Sequence, residues 1–305
     1  MLSNILRLAG TFVFALGSSV AITVYAKAAT PLGSTVSPVL TQPAGVGAEK
    51  VIIDTDIGID IDDAFALALA LRSPELSILG FSTASGDTLA RAKIVDRMLG
   101  ETGYKNIPVA VGVPTTSPDQ TLPTGIIGLQ RRYGESGHYG RGSHPQAVDF
   151  ILQQIKQFPD QITLVAIGPL SNVGTLIDRD PSTFRKLKRV VMMGGWVGPV
   201  DNGDGETSGP APEYNIMLDI NSAQKLFRAG VPIYVMPIDS TIGLALDEVK
   251  RKSIFSEGTP VTDSLGLLYL LWGNTTPILY DAMAVAFVVN PQLCPVQPMH
   301  LNTAT

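Results

Sequence analysis

From Glu49 onward the chain alternates short, continuous apolar runs with stretches of helical periodicity, and this alternation limits its fold more than any other feature. Apolar runs at 51–53, 76–83, 109–111, 162–167, 189–193 and 233–235 read as strands. The segments 62–71, 89–99, 146–158, 170–177 and 222–229 read as helices. Strands apolar on both sides must be covered on both faces. The expectation is therefore an α/β domain with a mainly parallel central sheet and helices on both faces. There is no internal repeat and no second regime of composition, so residues 49–305 read as a single domain. In such sheets a ligand binds beyond the carboxyl ends of the strands.

What precedes the domain differs in kind. Arg7 is followed by an uncharged apolar run over 8–25, and Ala26-Lys27-Ala28 has the small-x-small form of a cleavage site. Residues 1–28 read as a secretory signal peptide; an uncleaved anchor is the alternative. Secreted or periplasmic localisation follows, with no stable membrane span after cleavage. The positive mean hydropathy of +0.24 is partly this leader. Residues 29–48, with three Pro, three Gly and no charge, read as a flexible linker. The 305 residues hold one Cys, Cys294, and three His, which excludes an internal disulfide framework and a zinc site built on several cysteines. A net charge of −5 argues against nucleic acid as a partner.

The first strand runs into five aspartates within ten residues: Asp54, Asp56, Asp60, Asp62 and Asp63. Crowded carboxylates at a strand end repel one another, and burying them unpaired is costly. A hard divalent cation resolves that conflict, and oxygen-only ligands favour Ca²⁺ or Mg²⁺. The plainer alternative is a solvated acidic helix start.

The spacing Asp54-Thr-Asp56-Ile-Gly58-Ile-Asp-Ile-Asp62-Asp63-Ala64 resembles the N-terminal signature of the inosine–uridine-preferring nucleoside hydrolases, in the subset with two extra residues before the Asp pair. Further motifs follow in the family's order: Gly168-Pro-Leu-Ser-Asn172, Met192-Met-Gly-Gly195, Glu213-Tyr-Asn215 and Tyr280-Asp281-Ala282. The resemblance implies Ca²⁺-dependent hydrolysis of the N-glycosidic bond of ribonucleosides. It casts Asp56 as metal ligand and as general base toward the attacking water. Asp63, Asp281 and the main-chain carbonyl of Ile167 become the other metal ligands. Asp62, Asp87, Glu213 and Asn215 become ribose contacts. Glu213 and Asn215, two apart, share a side if that segment is extended. The family also implies a homodimer or homotetramer.

Two departures stand out. Tyr280 replaces the His that many members carry before the metal-ligand Asp, and Tyr133 stands where another family His often lies. Neutral tyrosine, with a reference pKa of ~10, is a poor acid. The leaving-group acid is thus unassigned, with Tyr133, His138, Trp196 and Tyr280 as candidates for leaving-group or base contacts. The second departure is the polar tail from Pro295, expected to leave the domain short of the family's usual length. Two rival readings are a non-catalytic nucleoside- or ribose-binding protein and a Mg²⁺-dependent haloacid-dehalogenase-type phosphatase using Asp54 as nucleophile.

Overall fold

A computed structural model of the protein describes residues 47–115, 128–135, 139–201 and 206–299. The expected leader at 1–28 and the expected linker up to residue 46 lie outside them. Strands β1 (Glu49–Thr55), β2 (Leu76–Thr83), β3 (Val109–Ala110), β4 (Ile162–Ala166), β5 (Arg189–Met193) and β8 (Ile233–Met236) form one sheet in the order β3-β2-β1-β4-β5-β8. Every pairing in it is parallel. A two-stranded antiparallel ribbon, β6 (Val200–Asp201) with β7 (Thr207–Ser208), lies apart from it.

The strands are apolar throughout because both faces are covered. Val51, Ile53, Val165 and Val191 pack on the side of helices α1 (Asp62–Leu71), α2 (Thr88–Glu101) and, far later, α11 (Pro260–Trp272) and α12 (Tyr280–Val289). Ile52, Leu164 and Val190 pack on the side of α4 (Ala147–Gln157), α5 (Ser171–Arg179) and α8 (Ile220–Phe227). Each strand thus feeds alternate residues to opposite layers. The expected α/β architecture, mainly parallel and covered on both faces, is what the chain adopts.

Two features position the site. β1 connects through α1 to β2 on one side, while β4 lies on the other, so the strand order reverses between β1 and β4. A crevice opens at such a reversal. Within β2, Ile78 pairs with Val51 but Gly80 pairs with Ile52, so Leu79 is an extra residue. One added residue flips every later side chain to the opposite face. It sends Phe81 to the α1 side and leaves Ser82 beside Asp54 on the other.

Candidate active site

The turn after β1 is built by alternation and clamped from outside. Asp54 points to the α5 side, where its Oδ1 accepts from Ser82 Oγ at 2.6 Å and Asn172 Nδ2 at 2.8 Å. Burial pushes its pKa up to about 6, against the pull of those two donors. Thr55 points the other way and donates its hydroxyl to Asp63 Oδ1. The chain then turns through Gly58 at φ +132°, a conformation that favours glycine. Arg91, wholly buried on α2, donates to the carbonyls of Asp56 and Ile57 and, through Nε, to that of Ser85 at 2.8 Å. Gln130 donates to the carbonyls of Ile59 and Asp60 at 3.2 and 2.8 Å. A guanidinium and an amide thus fix a turn that has no strand partner of its own.

Asp62 and Asp63 open α1, and Asp281 is the second residue of α12. α1 and α12 pack side by side, so carboxylate oxygens of the three lie within 4.8 Å of one another. None is more than 6 % exposed. The N-terminal dipoles of two helices favour negative charge here, but only in part. Burial, with repulsion from neighbouring carboxylates including Asp56 second, raises all three pKa values, that of Asp62 to about 8. Asp62 and Asp281 are hydrogen-bonded to each other. Buried, crowded, oxygen-only ligands of one sign are the donor set of a hard divalent cation, and this cluster fits one.

The facing wall follows β5. Glu213 caps the short helix α7 (Tyr214–Met217), accepting from the main-chain N–H of Asn215 at 3.0 Å and Ile216 at 3.1 Å. The same carboxylate accepts from Gly195 N–H at 2.8 Å, where φ is +82°, tying the glycine turn to α7. Asn215 donates from Nδ2 to the Met193 carbonyl at 3.2 Å. The segment is therefore not extended. The glutamate side chain captures the amides just after it, which winds the chain into a helical turn. Glu213 and Asn215 nevertheless both line a cavity of about 540 Å³. Its other polar walls are Asp56, Asp60, Asp62, Asp63, Tyr214, Tyr280 and Asp281, with Ile59, Ile167, Met193 and Ile238 as apolar surface.

The cavity thus brings together Asp56, Asp62, Asp63, Ile167, Glu213, Asn215, Tyr280 and Asp281 from the sequence expectation. Three other candidates lie elsewhere. Tyr133 is buried under the Arg97 guanidinium, 4.1 Å from its ring centroid, and donates to Glu101 Oε2 at 2.7 Å. Burial pushes its phenol well above the ordinary range, so it serves packing between α2 and α11. Trp196 donates its indole N–H to the Gly198 carbonyl at 2.6 Å and packs against Gly209. Asp87 caps α2 through Ala90 N–H at 3.0 Å and pairs with Arg131 at 3.7 Å. None of these three lines the cavity. His138 lies outside the described residues.

Sequence reasoning left Asp60 and Arg91 without roles. Asp60 belonged to the visible acidic run. Arg91 gave no signal, because an arginine in an amphipathic helix ordinarily reaches water.

Comparison with known proteins accords with this geometry. The model of the inosine-uridine preferring nucleoside hydrolase family matches residues 51–305. The pyrimidine-specific ribonucleoside hydrolase RihA of Citrobacter koseri is 31% identical over 262 residues, covering 80% of each chain. Uridine nucleosidase 1 of Arabidopsis thaliana is 32% identical over 264 residues, or 80% of this chain and 75% of its own. Among solved structures, the plant nucleoside hydrolase PpNRh1 has a TM-score of 0.67 at 27% identity, covering 80% of this chain and 79% of that one. A purine-preferring ribonucleoside hydrolase from Gardnerella vaginalis shares the fold at a TM-score of 0.64 and 24% identity, covering 82% and 83%. The phosphatase and binding-protein readings give way to these matches. The chain belongs to the inosine-uridine preferring nucleoside hydrolase family and is a nucleoside N-ribohydrolase.

Proposed function

We propose that the enzyme cleaves ribonucleosides to ribose and free base with Ca²⁺ as its cofactor, held by Asp56, Asp63, Asp281 and the Ile167 carbonyl. The observation that carries this is the trio of buried carboxylates meeting from two helix starts on the wall of the cavity. A bound divalent cation neutralises such a cluster, orients the ribose diol and lowers the pKa of a water molecule.

The chain's own groups do the rest. Asp56 takes a proton from the attacking water. Asp62, Glu213 and Asn215 hydrogen-bond the ribose hydroxyls. As the glycosidic bond breaks, positive charge grows on the ribose, and the surrounding carboxylates stabilise it electrostatically. Ile59, Met193 and Ile238 keep bulk water from the sugar, which strengthens each of these interactions. Tyr214 and Tyr280 both bring a hydroxyl to the cavity wall, and Tyr280, next to Asp281, is the donor assigned to the departing base.

The leader read at residues 1–28 supports action outside the cytoplasm. The names of the two curated relatives make pyrimidine ribonucleosides the first substrates to try. Free-base release from a ribonucleoside panel, with calcium titrated against protein lacking residues 1–28, tests the reading. Asp56→Ala or chelation is expected to abolish release while the circular dichroism spectrum persists. Protein that binds uridine or inosine with Ca²⁺ yet never frees a base would overturn it.

A further inference from the structure

Six carboxylates line the cavity, and five of them are buried; the sixth, Asp60, is exposed. It is nonetheless held in place. Its Oδ1 accepts from the Ile61 N–H at 2.7 Å, and the indole of Trp272 donates to the same carboxylate. Its own carbonyl and that of Ile59 are both gripped by the buried amide of Gln130. Backbone and side chain are thus fixed separately, which is how a recognition group is preorganised. Such rigidity is unexpected for an exposed acid in a loop.

Position gives the group its partner. A nucleoside has a hydroxyl-rich end and a planar heterocyclic end. The hydroxyls belong with the buried acids and Asn215, so the base extends toward the solvent-facing side of the lining, where the exposed Asp60 and Tyr214 and the half-buried Tyr280 stand. A carboxylate there only accepts hydrogen bonds. An exocyclic amino group offers it two N–H donors. An oxo group at the same ring position turns lone pairs toward it instead.

We propose that Asp60 is a specificity-determining residue, favouring nucleobases with an exocyclic amino group over their oxo counterparts. This rests on the ribonucleoside hydrolase reading of the same cavity. Polar groups built to hold one partner reject an analogue that lacks the matching donor.

Matched pairs isolate the effect: cytidine against uridine, and adenosine against inosine. We would measure kcat/KM for each on the full chain with Ca²⁺, for wild type, Asp60→Asn and Asp60→Ala. Wild type is expected to favour the amino member by about tenfold, the worth of one hydrogen bond to a charged group. Asp60→Asn, whose amide can donate to an oxo oxygen, should bring the ratio to parity or invert it. Asp60→Ala should lose the preference. Calcium affinity by calorimetry should be equal in wild type and Asp60→Asn. A wild type without preference, a preference that survives in both variants, or a loss of calcium affinity in Asp60→Asn would each overturn the proposal. If wild type frees no base from any nucleoside, the hydrolase reading fails by itself. Calorimetric binding of the same pairs then decides on Asp60, with equal affinities counting against it.

Discussion

Gly168 abuts the Asp56 side chain so closely that a Cβ on residue 168 would stand 2.8 Å from Asp56 Oδ1 and 3.0 Å from its Cβ. The turn after β4 can close beneath this aspartate only because residue 168 has no side chain. Gly168→Ala should therefore push the carboxylate aside while leaving the sheet intact. A reacting group displaced by about 1 Å loses about a hundredfold in rate. We expect that loss in free-base release, with an unchanged far-ultraviolet spectrum. Turnover at the wild-type level would remove Asp56 from among the reacting groups.

The raised carboxyl pKa values predict an unusual pH response. Asp62, near 8, and Asp54, near 6, bind protons more tightly in the folded chain than at the ordinary value of 3.8. Stability from such groups is fully present below the ordinary value and is lost as pH rises through the folded values. Without added cation, the melting temperature should fall between pH 5 and pH 8. Calcium needs the ionised carboxylates, so it should raise the melting temperature more at pH 8 than at pH 5. Equal shifts at the two pH values would count against a cation on these acids.

Arg91 has charge and no access to water. Arg91→Met keeps most of the apolar stem and removes the donors to the carbonyls of Asp56, Ile57 and Ser85. Leaving buried carbonyls without a charged donor costs about 3 kcal/mol. Urea unfolding should show a loss of that order. An unchanged midpoint would mean the turn holds itself.

Glu213 separates two roles by the choice of substitution. Glu213→Ala strips the acceptor from three main-chain amides and should lower stability by about 1 kcal/mol, as lost helix caps do. Glu213→Gln retains one acceptor oxygen and should recover most of that stability. It should still show reduced kcat/KM, because it brings no negative charge to the ribose. Full recovery of both by Gln would reduce Glu213 to a helix cap.

The layered fold was legible because β-branched runs such as Val51-Ile52-Ile53 have few other uses, and the acidic turn because five aspartates have even fewer. α12 gave a weaker signal. Its sequence is apolar all round because it is buried on all sides, from Asp281 to Val288, so it has no amphipathic period. Only the motif around Asp281 pointed there. The helical turn at Glu213 was not legible for a different reason: a side-chain carboxylate capping its own neighbours leaves no mark in hydrophobic patterning. Tyr133 and Trp196 do not line the cavity, since Glu101 and the Gly198 carbonyl take their polar hydrogens.

The pairing of α1 with α12 also has a temporal meaning. The acids that open α1 leave the ribosome first, whereas Asp281 follows 218 residues after Asp63. Until α12 docks, the earlier helix carries an electrostatic burden with no completed pocket around it. A chain cut short of α12 would keep Asp62 and Asp63 but lose Asp281, and with it one of the three carboxylates that meet on the cavity wall.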